Sequence, residues 1–118
     1  MLKFAISTEE DEVCPNFERA HEITIIKIEK NKLIEKNVLS KPKHIRGNLP
    51  EFLNEQGTKS IVTGEMNYNT LDLFIQKGID VILGVHGKTV EVIEQILDGT
   101  IGEAVDFNPI ILKSINGY

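Results

Sequence analysis

Four side chains in this sequence could bind a soft metal or activate a nucleophile. They are Cys14, the only cysteine, and the three histidines His21, His44 and His86. Cys14 and His21 stand seven residues apart in "EVCPNFERAHE". A thiolate and an imidazole can share a metal ion, or act as nucleophile and base if a third group orients the base. Neither reading is singled out by a flanking signature. The remaining two histidines stand near glycines, His44 before Gly47 and His86 between Gly84 and Gly87. Backbone amides there could approach an anion. "GVHGK" at 84–88 is too short for a phosphate loop, and neither GxGxxG nor GxxxxGK[ST] occurs in the chain. Each of these residues also has a structural reading: a cysteine as a small buried hydrophobe, a histidine bonded to a loop carbonyl.

Composition narrows the classes. The 118 residues are 41% hydrophobic and 26% charged, enough for one domain with a real core. Thirteen basic and 18 acidic residues leave a net charge of −5, which disfavours a broad grip on nucleic acid. Lys27, Lys30, Lys32, Lys36, Lys41 and Lys43 cluster, but Glu29 and Glu35 interrupt them, as on a solvated hairpin. One cysteine excludes an internal disulfide and a multi-cysteine zinc or iron–sulfur site within one chain. No apolar stretch approaches the ~20 residues of a membrane span, so the expectation is a cytoplasmic protein without membrane or nucleic-acid partners.

The elements that must position these residues follow from periodicity. Strands are expected at 2–7, 22–30, 33–39, 59–64 and 79–85, the second and third as a hairpin turning at Asn31–Lys32. Helices are expected over 49–56, 69–78 and 89–99, with Asn48, Asn69 and Thr89 as caps and Gly57, Gly78 and Gly99 as stops. Residues 8–21 read as a loop, and 106–118 as a tail of unassigned structure after a domain at 1–105. The order β-β-β-α-β-α-β-α implies a single α/β domain with a mixed five-stranded sheet, order 3-2-1-4-5, strand 2 antiparallel, flanked by three helices. That topology sends Cys14, His21, His44, the Gly64–Asn69 loop and His86 to one end of the sheet. Ligands bind there, beyond the carboxyl ends of the strands where connections diverge. The crevice is expected between the first and fourth strands.

The stretches "ISTEEDEVCPNFERAHEITIIKIE" and "SIVTGEMNYNTLDLFIQKGIDVILGVHGKTVEVIEQILDGTI" resemble the dinitrogenase iron-molybdenum cofactor biosynthesis family. The first is similar to its opening strand and HFGRA-type loop, the second to its GGIG strand–loop–helix, its "aGI" strand and its "TVEEAI" helix. Phe17, Arg19 and Ala20 match that loop, whereas Asn16 and Glu18 stand in place of its histidine and glycine. Gly64, Glu65, Met66 and Asn67 stand in place of GGIG, and only His44 and Gly47 remain of a histidine- and glycine-rich segment. The resemblance implies a ribonuclease H-like fold and a non-catalytic carrier of an iron-molybdenum or other metal–sulfur cluster. Cluster donor and acceptor proteins would be its partners. Cys14, His44, Gly64, Asn67 and His86 would hold the cluster, with Cys14 and His21 as metal ligands. The alternatives are a structural or regulatory relative whose site is degenerate, and a small cysteine-dependent enzyme. A ribonuclease H-like nuclease needs carboxylates on the first and fourth strands, and 2–7 and 59–64 carry none.

Overall fold

A computed structural model describes residues 2–41 and 49–99, together with the strand at 110–112. Asn48, expected as a helix cap, and His44 and Gly47, expected near the site, lie outside the described residues. The strands are β1 (Leu2–Glu9), β2 (Glu12–Val13), β3 (Glu22–Glu29), β4 (Lys32–Ser40), β5 (Ser60–Val62), β6 (Asp80–Leu83) and β7 (Ile110–Leu112). The helices are α1 (Leu49–Glu55), α2 (Tyr68–Gln76) and α3 (Thr89–Asp98).

The sheet runs β4-β3-β1-β5-β6-β7, with β2 paired on β1. β3 is antiparallel to β1 and β4, whereas β1, β5 and β6 are mutually parallel. The expected order and mixed polarity are therefore present. Among the described residues, two short strands enlarge the sheet from five strands to seven, and β7, antiparallel to β6, falls within the unassigned tail.

Strand alternation divides the interior in two. Ala5, Ile61 and Val81 face one side, where Leu53 of α1 and Phe74 of α2 close over them. Ile6, Val62 and Ile82 face the other, beneath Val92 and Ile93 of α3. Full burial of each of these valine, isoleucine, leucine and phenylalanine side chains contributes ~1.5–3 kcal/mol, so the three central strands need helices on both faces.

Both hairpins turn through two residues in the left-handed region, which twists the flanking strands together. Glu10 and Asp11 have φ 49° and 67°, and Lys30 and Asn31 have φ 52° and 62°. The second turn thus lies one residue earlier than the sequence suggests. The first was not expected, because Glu-Glu-Asp-Glu lacks the Asn-Gly pair that announces it. β1 consequently extends to Glu9, so the first strand does carry an acid near its end, while β5 has none.

The helix caps also shift. α2 begins after Asn67 rather than Asn69, and α3 after Lys88, with Thr89 already helical. Gly99, at φ 79°, ends α3 as expected.

At the carboxyl end of β1, the buried Ser7 hydroxyl donates to the Thr63 hydroxyl beyond β5 at 2.7 Å. Both residues are 0% exposed. Ser7→Ala should strand the Thr63 oxygen and lower the unfolding free energy by about 1–3 kcal/mol. Urea denaturation measures it, and Ser7→Ala with Thr63→Val should recover part of the loss.

Candidate functional site

Three loops meet at the carboxyl ends of β1, β5 and β6. Main-chain hydrogen bonds fasten the first two. The Phe17 amide donates to the Glu65 carbonyl at 2.8 Å, and the Glu65 amide donates to the Pro15 carbonyl at 2.7 Å. A bridge between Asn16 and Glu65 accompanies them. Gly64 permits this approach: a Cβ there would lie 2.4 Å from the Pro15 carbonyl oxygen. The third loop joins through β2, where the Val13 amide donates to the Gly87 carbonyl at 2.9 Å and the Thr89 amide to the Asp11 carbonyl at 2.8 Å.

The crevice expected between β1 and β5 is therefore closed by the chain itself. The opening lies one strand further along. Pro15, Gly64, Glu65, Gly84, Val85 and His86 line an open depression of about 290 Å³. Gly84, at φ 79°, turns the backbone there and donates its amide to the Gly64 carbonyl at 2.8 Å. Two of the six lining residues are glycines, and exposed His86 supplies an imidazole.

Cys14 directly precedes Pro15, which lines this depression, but is itself buried. It is 4% exposed, and its thiol donates to the Asn16 carbonyl at 3.3 Å. The proximity to the 64–69 loop is as expected; the accessible sulfur is not. Burial, with the thiol turned to a carbonyl of its own loop, keeps the sulfur from reaching a ligand in the depression. His21 does not join Cys14 either. Its Nδ1 contacts the Glu9 carboxylate, with the ring 81% exposed. Among the described residues, no group of three or more His, Cys, Asp or Glu side chains is placed to hold a metal ion.

The helix starts offer less to an anion than the topology suggests. The Asn67 amide, at the start of α2, donates to both carboxylate oxygens of Glu18, at 3.1 and 3.2 Å. Asn67 makes no side-chain cap of its own, so a carboxylate from another loop serves instead. Sequence reasoning missed this role for Glu18, although an acid in place of a loop glycine was the available signal. Glu18→Ala should cost about 0.5–1 kcal/mol and speed hydrogen exchange at the Asn67 amide. Unchanged exchange would show that the carboxylate does not cap the helix.

Phe17 and Lys41 hold the loop from below. Phe17 is 4% exposed, as a core anchor should be, and meets Phe74 edge-on at 5.5 Å between centroids. The Lys41 ammonium lies 4.2 Å from the Phe17 ring centroid and donates to the Phe17 carbonyl at 2.7 Å. Burial pushes the Lys41 pKa below the ordinary lysine range, opposed chiefly by the negative charge of Glu18.

A mixed sheet with helices on both faces, and an open depression where its parallel strands end, define a small α/β domain. The chain belongs to the dinitrogenase iron-molybdenum cofactor family, whose model matches residues 1–99. The solved structure of PH0822 is 28% identical, with TM-score 0.75 over 83% of this chain and 90% of that one. The apo form of the orange protein from Desulfovibrio gigas is 18% identical, with TM-score 0.70 over 93% of this chain and 97% of that one. A Methanocaldococcus jannaschii protein is likewise 18% identical, with TM-score 0.71 over 92% of this chain and 94% of that one. A search of the curated proteins gives no match. Among the described residues, no helix is long and apolar enough to cross a membrane.

Proposed function

We propose that the protein is a non-catalytic carrier that accepts a preformed anionic metal–sulfur cluster of the iron-molybdenum type and hands it to an acceptor protein. The supporting observation is the depression at 64–65 and 84–86, lined by two glycines and by one exposed imidazole, His86. Its volume, about 290 Å³, is at the low end of the ~300–1,000 Å³ usual for small-ligand sites. Cargo would rest on such a surface rather than be enclosed, which suits capture and release better than turnover. The residues fit a cluster that arrives assembled. His86 would make one bond to a metal atom of the cargo, and Gly64 and Gly84 would let its sulfides approach the backbone. They do not fit a bare metal ion, which needs several side-chain ligands.

Isolated iron–molybdenum cofactor mixed with pure protein should co-elute with it at one cluster per chain in gel filtration, and should leave on addition of a cluster-accepting apoprotein. A cluster that elutes separately would contradict the reading. The Glu18 carboxylate on the Asn67 amide favours a second reading, a structural relative with a degenerate site. Separate elution is its expected result.

A further inference from the structure

At the opposite end of the sheet, a row of charges crosses three strands. Lys3 on β1 stands directly opposite Lys27 on β3, and Lys27 stands opposite Glu35 on β4. Like charges in directly opposed positions destabilise a sheet, so the first pair is costly. The second is an ion pair at 3.2 Å. Glu35 is held by Lys27 and by the Asn37 side chain, and its pKa is lowered by these contacts and by the charge of Lys3. The carboxylate is thus committed, whereas Lys3 makes no ion pair within 4 Å among the described residues. The row carries one surplus positive charge in a chain whose net charge is −5.

These groups line a pocket of about 220 Å³, together with Ile25, Leu39 and the amide side chain of Gln56 just beyond α1. Ile25 belongs to the core beneath α1 and α2, and Leu39 packs against it. The pocket therefore pairs a cationic edge with an apolar floor. A cavity of ~150 Å³ already accommodates benzene, so a ring or short branched chain fits.

We propose that this pocket binds small monocarboxylates carrying a compact apolar body. The carboxylate lies between the ammonium groups of Lys3 and Lys27, and the apolar body covers Ile25 and Leu39. The bound anion would offset the repulsion between the two lysines. This site is separate from the depression at His86 and does not depend on the carrier reading.

The test is an NMR titration of the full-length ¹⁵N-labelled protein with 3-phenylpropionate, and in parallel with 3-phenylpropanol and inorganic phosphate. Saturable shifts at the amides of Lys3, Ile25, Lys27 and Asn37 are expected with the carboxylate, at an affinity at least tenfold above that of the alcohol or of phosphate. Lys3→Gln should weaken binding at least tenfold while leaving the melting temperature equal or higher, because it removes the like-charge pair. Lys3→Arg should retain binding. The proposal is overturned by absence of saturable shifts at those amides, by equal affinity for the alcohol or phosphate, or by unchanged affinity in both Lys3→Gln and Lys27→Gln.

Discussion

Phe17→Ala should lower the unfolding free energy by about 3–4 kcal/mol, the usual cost of emptying a buried aromatic site. The ring is 4% exposed, meets Phe74 at an interplanar angle of 85°, and lies under the Lys41 ammonium. Deleting it removes transfer energy, an edge-to-face contact worth ~0.5–1.5 kcal/mol and the support of a partly buried cation. The loop cannot collapse to fill the space, because its main chain is fastened to Glu65 on one side and Lys41 on the other. Equilibrium unfolding in urea gives the number. A loss below about 1.5 kcal/mol, less than half the usual cost, would mean that the loop is held by its hydrogen bonds alone. Phe17→Leu should fall between wild type and Phe17→Ala.

Gly64→Ala should be the most disruptive single-methyl change at the site. The added carbon would meet the Pro15 carbonyl oxygen at 2.4 Å, the Pro15 Cα at 2.9 Å and its carbonyl carbon at 3.0 Å. All three are backbone, so no side chain can rotate away. Relief requires the Pro15 and Glu65 strands of the loop pair to separate, which breaks the hydrogen bonds at 2.7 and 2.8 Å. Overpacking of this kind costs about 1–3 kcal/mol and sometimes more; the upper end is expected here. Hydrogen exchange at the Phe17 and Glu65 amides should accelerate, and cluster capture should fall. Wild-type exchange at both amides would show that the loops adjust without separating.

Much of the fold is legible in the sequence because its signals are local. The β-branched run at 22–29, the helix from Thr89 and its glycine stop at Gly99 follow from propensity and periodicity alone. Even the anchoring of Phe17 could be anticipated from its place after a proline turn. The two added strands could not. Glu12–Val13 is held as a strand by an acidic turn with two non-glycine residues at positive φ, and Ile110–Leu112 by pairing on β6. The closure between β1 and β5 was not legible either, because which loops zip together depends on a close approach at Gly64 and on a carboxylate, Glu18, that caps a helix 49 residues away. The burial of Cys14 follows from the same zipper, since its own loop becomes the cover. His86 is exposed, and its place between Gly84 and Gly87 is read directly from the sequence.

On the proposed function, cargo meets this chain at His86 and not at Cys14. The charge-transfer absorption of isolated iron–molybdenum cofactor, added to wild-type protein, to His86→Ala and to Cys14→Ser, all verified as folded by circular dichroism, distinguishes the two. The protein-dependent change in the band should persist in Cys14→Ser and be lost in His86→Ala. Loss in Cys14→Ser with retention in His86→Ala would contradict it, because a thiol that is 4% exposed would then have to leave the Asn16 carbonyl to reach the metal.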